Sequence, residues 1–324
     1  MKVIAYRSYG SPEVLELVEA PRPDPGPGEV RIRIRAATVS STDATFRRGT
    51  DRMARLASGL SRPKHPVLGT ELAGEIDAVG EGVTRFAVGD AVVAATGDAF
   101  GAHAEYVCLP EEGAIGPKPT NATWEEAAAL AEGTLTALPF LRDHGAVGPG
   151  QQVLILGASG SVGVAAVQLA KHLGAEVTAV CSGRNAELVR SLGADHVVDY
   201  TTADFTASGG AWDVIFDTVG ASSFARSRRV LKPGGIYLAT VLSAGILWYA
   251  LWTRWLGRKR AKIAFTGLRE GSEKAADLRL LRDLVEAGAI RPVIDRTFPL
   301  EQAAEAHRLV DGGHKRGNAV LRVA

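Results

Sequence analysis

The chain has 324 residues, enough for about two domains at roughly 150 residues each, and its 37 Lys and Arg against 36 Asp and Glu leave a net charge of +1. So neutral a balance excludes a general nucleic-acid binder, which needs a basic surplus to displace counterions from phosphates. Two cysteines, Cys108 and Cys181, supply neither a disulfide framework nor a four-cysteine zinc site, and they suit a reducing, cytoplasmic setting.

The first 120 or so residues read as β-rich. Lys2–Tyr9 alternates like a strand and reaches a turn at Gly10-Ser11-Pro12; the prolines at 21, 23, 25 and 27 exclude regular structure ahead of the next strand. Val30–Arg35 alternates apolar and charged residues at period two, which predicts a half-buried strand with its arginines facing out. Leu72–Val79 and Ala91–Ala95 are further short strands, and such spacing suggests a barrel or sandwich. Glu125–Leu141 predicts a helix. From Val153 the chain alternates strand (Val153–Leu156), helix (Gly163–Leu173), strand (Val177–Cys181) and helix (Ala186–Leu192). Strands at Val197-Val198, Val214–Phe216 and Ile236–Val241 follow, the pattern of a parallel, doubly wound sheet. Helices at Ala275–Ala287 and Leu300–Val310 lead to a last strand, Ala319–Val323.

Two long uncharged runs, Gly145–Ala170 and Pro233–Thr253, have the length of membrane spans. Glycines and Pro149 interrupt the first, and Gly245 splits the second, so neither reads as a continuous apolar helix. The first run holds the strongest motif of the chain. Val153–Leu156 passes directly into Gly157-Ala-Ser-Gly-Ser-Val-Gly163 and then into a helical pattern, the context that a dinucleotide fingerprint requires. Gly160 lets backbone approach a pyrophosphate, Gly163 lets helix pack on strand, and the N–H groups at Gly157, Ser161 and Val162 lie where phosphates are bound. An acid about 20 residues on would select NAD(H). Ser182 and Arg184 stand there instead, a hydroxyl and a guanidinium that suit a phosphate monoester, which favours NADP(H).

These motifs, with Tyr9–Leu15, Pro66–Gly69, Val88–Asp90, Ala104–Val107 and Gly133–Ala137, resemble the medium-chain dehydrogenase/reductase family over nearly the whole chain, within it the zinc-independent quinone-reductase-like branch. The resemblance implies an α/β fold: a GroES-like β-barrel catalytic domain over 1–122, completed by 266–324, and a Rossmann domain with a doubly wound parallel sheet over 123–265. It also implies cofactor contacts at Thr136, Tyr200, Val219, Val241 and Asn318. Zinc members carry Cys in a C-x-x-D segment and His in a G-H-E segment; here these read Ser40-Ser-Thr-Asp43 and Gly69-Thr-Glu71, so no metal is expected. Ser40 stands where this branch often has Asn, and Thr45 where quinone reductases of this type often have Tyr. Ser40, Asp43, Thr45 and Glu71 are the candidate catalytic residues, with capping or ion-pair roles as the plain alternative for each.

Trp248, Trp252 and Trp255 share one helical face, and a basic run follows. An interfacial membrane helix, a lid and a packed interface all fit that pattern. Ile263–Phe265 resembles the edge strand through which relatives form homodimers. The chain is therefore expected to be an NADPH-dependent, zinc-independent oxidoreductase that transfers hydride to a hydrophobic quinone or α,β-unsaturated carbonyl. The alternatives are a metal-independent NADP alcohol dehydrogenase and a nucleotide-binding protein at a membrane or partner surface.

Overall fold

The computed structural model describes residues 1–51, 55–56, 58–207, 209–255 and 257–323; the last positions of the segments 246–256 and 266–324 lie outside them. The chain forms two compact units, Met1–Glu132 with Gly267–Ala324, and Gly133–Thr266.

In the first unit, β1 (Lys2–Ala5) and β2 (Glu16–Glu19) pair antiparallel. The larger sheet runs β14 (Ile294–Pro299), β15 (Asn318–Arg322), β3 (Glu29–Val39), β4 (Glu71–Val79), β5 (Ala91–Ala95) and β7 (Ala114–Pro117), with β6 (Tyr106–Pro110) also on β3. Val30, Ile32, Ile34, Leu72, Ile76, Ile115 and Leu321 from these strands fill one buried cluster. β3 departs from the expected alternation at Arg31, which is buried. Its guanidinium bonds Asp77 at 2.8 Å and Asp24 at 2.9 Å, so the charge is compensated where it sits.

The helix Ser41–Arg48 begins at Ser40 in a capping box with Asp43 and ends at Gly49 in the left-handed region (φ 60°). Arg47, fully buried, fixes this helix against the C-terminal helix Ala303–Asp311. It donates to Gly10 O at 2.6 Å, to Asp311 Oδ2 at 2.5 Å and to His307 Nδ1 at 3.2 Å. Burial and the neighbouring Arg47 hold His307 well below the ordinary imidazole range, so its ring is neutral and Nδ1 can accept.

The second unit is a six-stranded parallel sheet: β8 (Gln152–Leu156), β9 (Glu176–Cys181), β10 (His196–Asp199), β11 (Trp212–Asp217), β12 (Leu231–Ala239) and β13 (Arg260–Ile263). The spatial order is β10-β9-β8-β11-β12-β13, so the winding direction reverses between β8 and β11. Val153–Leu156 are all buried, as a strand covered on both faces requires. Two expected strands are displaced. β12 ends at Ala239, leaving Val241 beyond it and exposed. The edge strand is Arg260–Ile263, and Phe265 lies outside it, exposed. Its register is set by Ala261, which lies opposite Tyr237 and donates its N–H to Thr253 Oγ1 at 3.0 Å, beneath the helix Ala244–Trp255.

Candidate cofactor and active site

In the second unit, ligands of an open parallel sheet are held at the carboxyl ends of the strands where the order reverses. Here that point is the turn Gly157–Gly160 after β8, beside the end of β11. Gly157 has φ 74°, and a Cβ on it would meet Val219 at 2.7 Å, so only glycine fits. A Cβ on Gly163 would fall 2.7 Å from Ala158 Cα, because the helix Ser161–His172 packs directly on the turn. Gly160 differs. A Cβ there would meet nothing closer than Gly157 O at 3.6 Å. The fold itself does not demand glycine at 160, whereas a group approaching the backbone would. Gly160 also begins that helix with no side-chain cap, so no side chain takes the position at the helix N-terminus where an anion is bound in such folds.

Asp217, fully buried at the end of β11, builds the facing turn. Its carboxylate accepts from the N–H of Val219, Ala221 and Ser222 and from the Tyr237 hydroxyl, all within 3.2 Å. Burial and Asp217 together hold the Tyr237 phenol far above its ordinary range. Thr218 Oγ1 donates to Leu156 O at 2.8 Å and joins the two turns. Between them opens a cavity of 470 Å³ lined by Gly157, Val180, Tyr200, Phe205, Val219 and Arg226, among others. Arg226 lies over the Phe205 ring at 5.2 Å and pairs with Asp204 at 2.9 Å.

Of the predicted cofactor residues, Gly157, Tyr200 and Val219 line this opening, while Gly160, Ser161, Val162 and Gly163 lie in the turn and first helical turn that follow Gly157 and do not line it. Ser182 is buried and Arg184 exposed in the loop after β9. Val241 packs on Gly220, whose Cβ would meet it at 3.1 Å. Thr136 is half-buried one turn after Gly133, where a Cβ would meet Val162 N at 2.9 Å. Three residues at this site escaped the sequence reading. Asn185 is buried and donates to Ser159 Oγ at 2.9 Å, while its Oδ1 is buried without a partner. Arg226 follows no motif. Asp199 lies on the next strand, outside the count that looks for an acid after β9; its carboxylate accepts from Thr201 N–H and Oγ1, and its Oδ2 lies 2.4 Å from where a Cβ on Gly183 would stand. These bonds hold it below the usual carboxylate range.

The other candidates lie in the first unit. Ser40 Oγ donates to Asp43 Oδ2 at 2.7 Å, Asp43 Oδ2 also accepts from Ser40 N–H at 2.8 Å, and Asp43 Oδ1 accepts from Gly69 N–H at 2.9 Å. Asp43 is fully buried, and its carboxylate is committed to these three donors. Thr45 is half-buried on the same helix. Glu71 opens β4, and its Oε2 accepts from Thr70 Oγ1 at 2.7 Å and Thr38 Oγ1 at 3.1 Å. Burial, with Glu132 and Asp43 nearby, pushes its carboxyl up to about 8. Glu132 pairs with Lys315 at 3.0 Å, both side chains nearly buried, at a kink where its ψ is −115°. The cue for Glu132 was a single acid ending the apolar run Ala127–Ala131; Lys315 left no cue.

Asn318 is buried in this unit, donating from Nδ2 to Ala129 O at 3.2 Å and Val293 O at 3.0 Å, with Oδ1 unpartnered. Burial pushes Cys181 up to about 11 and also raises Cys108, so neither offers a thiolate.

Residues 26–138 match the family described as "Alcohol dehydrogenase GroES-like domain", and residues 192–321 match "Zinc-binding dehydrogenase". The chain is 32% identical over 332 residues to the chloroplast envelope quinone oxidoreductase homolog of Arabidopsis thaliana, covering 99% of this chain and 98% of that one. It is 33% identical over 325 residues to the mitochondrial NAD(P)H oxidoreductase RTN4IP1 of Mus musculus, covering 89% and 80%. The solved quinone oxidoreductase from Coxiella burnetii superposes with a TM-score of 0.89 at 30% identity, covering 100% of this chain and 99% of that one. With a GroES-like domain, a Rossmann-type parallel sheet and relatives matched along almost its full length, the chain belongs to the quinone-oxidoreductase-like branch of the medium-chain dehydrogenase/reductase family of NAD(P)H-dependent oxidoreductases.

Proposed function

We propose that this chain is an NADPH-dependent reductase of quinones or α,β-unsaturated carbonyls that works without a metal ion. The donor set of the first unit carries the reading: the Ser40, Thr38 and Thr70 hydroxyls and a Glu71 carboxyl that keeps its proton near neutrality. Hydroxyl groups do not fit zinc, which takes thiolate, imidazole or free carboxylate. His103, packed against Gly69, has Nε2 on Thr38 O, and the Asp43 carboxylate is taken up by three donors. Among the described residues no three His, Cys, Asp or Glu side chains form a group that could hold a metal.

A hydroxyl or protonated carboxyl that turns from its internal partner to a substrate can polarise a conjugated oxygen and stabilise the negative charge that develops on it. The site has no strong base or Lewis acid with which to ionise an alcohol. Bound at the glycine turn, the nicotinamide cofactor supplies the hydride. The backbone N–H groups of Ser161 and Val162 would hold its pyrophosphate, with Gly160, whose own N–H donates to Gly157 O, admitting its close approach and Gly157 and Gly163 shaping the turn. Tyr200 and Val219 border the cavity beside it; Ser182 and Arg184 select the 2′-phosphate. Asp43 acts as a positioning residue through Ser40, and Glu71 stores the proton that the reduced oxygen needs. Thr45 is a further catalytic candidate, and Thr136, Val241 and Asn318 are candidate cofactor contacts, as the family resemblance implies. The relatives named quinone oxidoreductase support the acceptor class.

The test is NADPH oxidation against a panel of quinones and enones, with a chelator present throughout. Turnover that survives the chelator supports the reading. Turnover only on adding zinc overturns it, as does alcohol-driven NADP reduction with no acceptor reduced.

A further inference from the structure

From Thr218 to Arg269 the chain runs 52 residues without an aspartate or glutamate and carries ten lysines and arginines. With a net charge of +1 overall, the rest of the chain is correspondingly acidic, so the cations are segregated rather than dispersed. Three of the ten are neutralised by acids from outside the stretch: Arg226 by Asp204, Lys232 by Asp213, and Arg269 by Glu273 and Asp277. The other seven, Arg254, Arg258 and Arg260 among them, form no ion pair among the described residues.

The helix Ala244–Trp255 lies within this stretch and has two apolar faces. One is inward: Ile246 and Thr253 are buried, and Tyr249 packs on Phe224 at a ring distance of 5.1 Å. The other faces solvent. Trp248 is 64% exposed, Leu251 63%, Trp252 45% and Trp255 78%, at spacings of three and four residues that align them on a single side. Arg254 lies on the same last turn, its guanidinium 5.8 Å from the Trp255 ring centroid. A helix needs one apolar face to join its own core. The second face, with three tryptophans and a leucine, is far more apolar surface than scattered exposure accounts for.

We propose that this second face is a lipid-binding surface, on which Trp248, Leu251, Trp252 and Trp255 enter the headgroup–acyl boundary of an anionic bilayer while Arg254, Arg258 and Arg260 meet its headgroups. Charge complementarity selects an anionic partner, and the apolar face selects one that also offers an apolar phase. A nucleic acid meets the first requirement and not the second. The helix lies on the surface rather than spanning it: at about 1.5 Å per residue its 12 residues reach about 18 Å, against about 30 Å of hydrocarbon. No helix among the described residues is long and apolar enough to cross a membrane.

The experiment is a titration of the full chain, free of nucleotide, with vesicles of phosphatidylcholine alone and of phosphatidylcholine containing about a third phosphatidylserine. Co-sedimentation and tryptophan emission are read together. The expected result is a blue shift and sedimentation with the anionic vesicles only, lost at high salt. Binding should weaken about fivefold for each of Arg254→Gln, Arg258→Gln and Arg260→Gln, and vanish in Trp248→Ser/Trp252→Ser/Trp255→Ser. No partition of the wild-type chain into anionic vesicles, or equal partition into both kinds, overturns the proposal whatever the variants do. Self-association of the free chain that the triple variant abolishes, without vesicle binding, assigns the face to a second copy and also overturns it. Binding of single-stranded DNA in place of vesicles does the same.

Discussion

A Cβ on Gly183 would stand 2.4 Å from Asp199 Oδ2, so the acid that ends β10 rests against the turn that follows β9. In a dinucleotide-binding sheet the loop after the second strand faces the ribose of the adenosine half. This loop carries Ser182 and Arg184 in sequence and borrows a negative charge from the neighbouring strand in space.

If Arg184 selects NADPH as proposed, Asp199 tempers that preference. Asp199→Asn is expected to raise the ratio of NADPH to NADH affinity by roughly threefold at low ionic strength, with the gain shrinking as salt is added. Arg184→Ala should lower the same ratio by about tenfold, through loss of a charge-assisted bond to the phosphate. Fluorescence titration of both nucleotides reads both changes.

Gly160 and Gly163 separate folding from binding. Gly163→Ala forces a methyl group into the backbone at Ala158 and should cost about 1–3 kcal/mol of stability. Gly160→Ala meets only ordinary contact, so stability should stay within about 0.5 kcal/mol while nucleotide affinity falls about tenfold or more. Thermal denaturation paired with nucleotide titration distinguishes the two.

Asp217 anchors four donors with one buried carboxylate. Asp217→Asn turns an acceptor into a donor beside Ser222 N–H and the Tyr237 hydroxyl, and should cost about 2–4 kcal/mol. Tyr237→Phe removes one bond and should cost about 1 kcal/mol, measured by denaturant unfolding.

Glu71 makes the first unit pH-dependent. The folded protein keeps this proton up to about pH 8, whereas the unfolded chain releases it near about 4.3. Its contribution to stability is therefore complete in acid and is lost as pH rises through about 8. Glu71→Gln should flatten this part of the dependence of Tm on pH, and should remove a fall in kcat/KM on the alkaline side.

The glycine turn and the strands around it were legible because their physics is local: a buried parallel strand is continuously apolar, Gly157 takes a positive φ, and Gly163 must clear the backbone at Ala158, 2.7 Å from where its Cβ would stand. The antiparallel strands at Ala91–Ala95 and Leu72–Val79 were legible as short apolar runs closed by glycine turns, and the second begins one residue earlier, at Glu71. What escaped is non-local. Arg31 was expected outside, and is buried because Asp77 and Asp24, distant in sequence, converge on it. Asp199 reaches Gly183 only through the lateral pairing of β10 with β9. The raised carboxyl of Glu71 depends on Glu132, sixty-one positions away in the sequence, and the Glu132–Lys315 pair joins positions more distant still. The edge strand was misplaced because its residues look equally strand-like in either register, and its lateral pairing with β12 and the Ala261–Thr253 bond are both non-local.

The most direct test of the central claim follows the hydride itself. The chain is incubated with NADPH deuterated at one or the other C4 position and with an enone acceptor, in the presence of a chelator, and the product is analysed by mass spectrometry. The account predicts deuterium on the β-carbon from one stereoisomer only, a proton from solvent on the adjacent carbon, and an unchanged rate with chelator. Product without label from either stereoisomer, or activity abolished by the chelator, would contradict it.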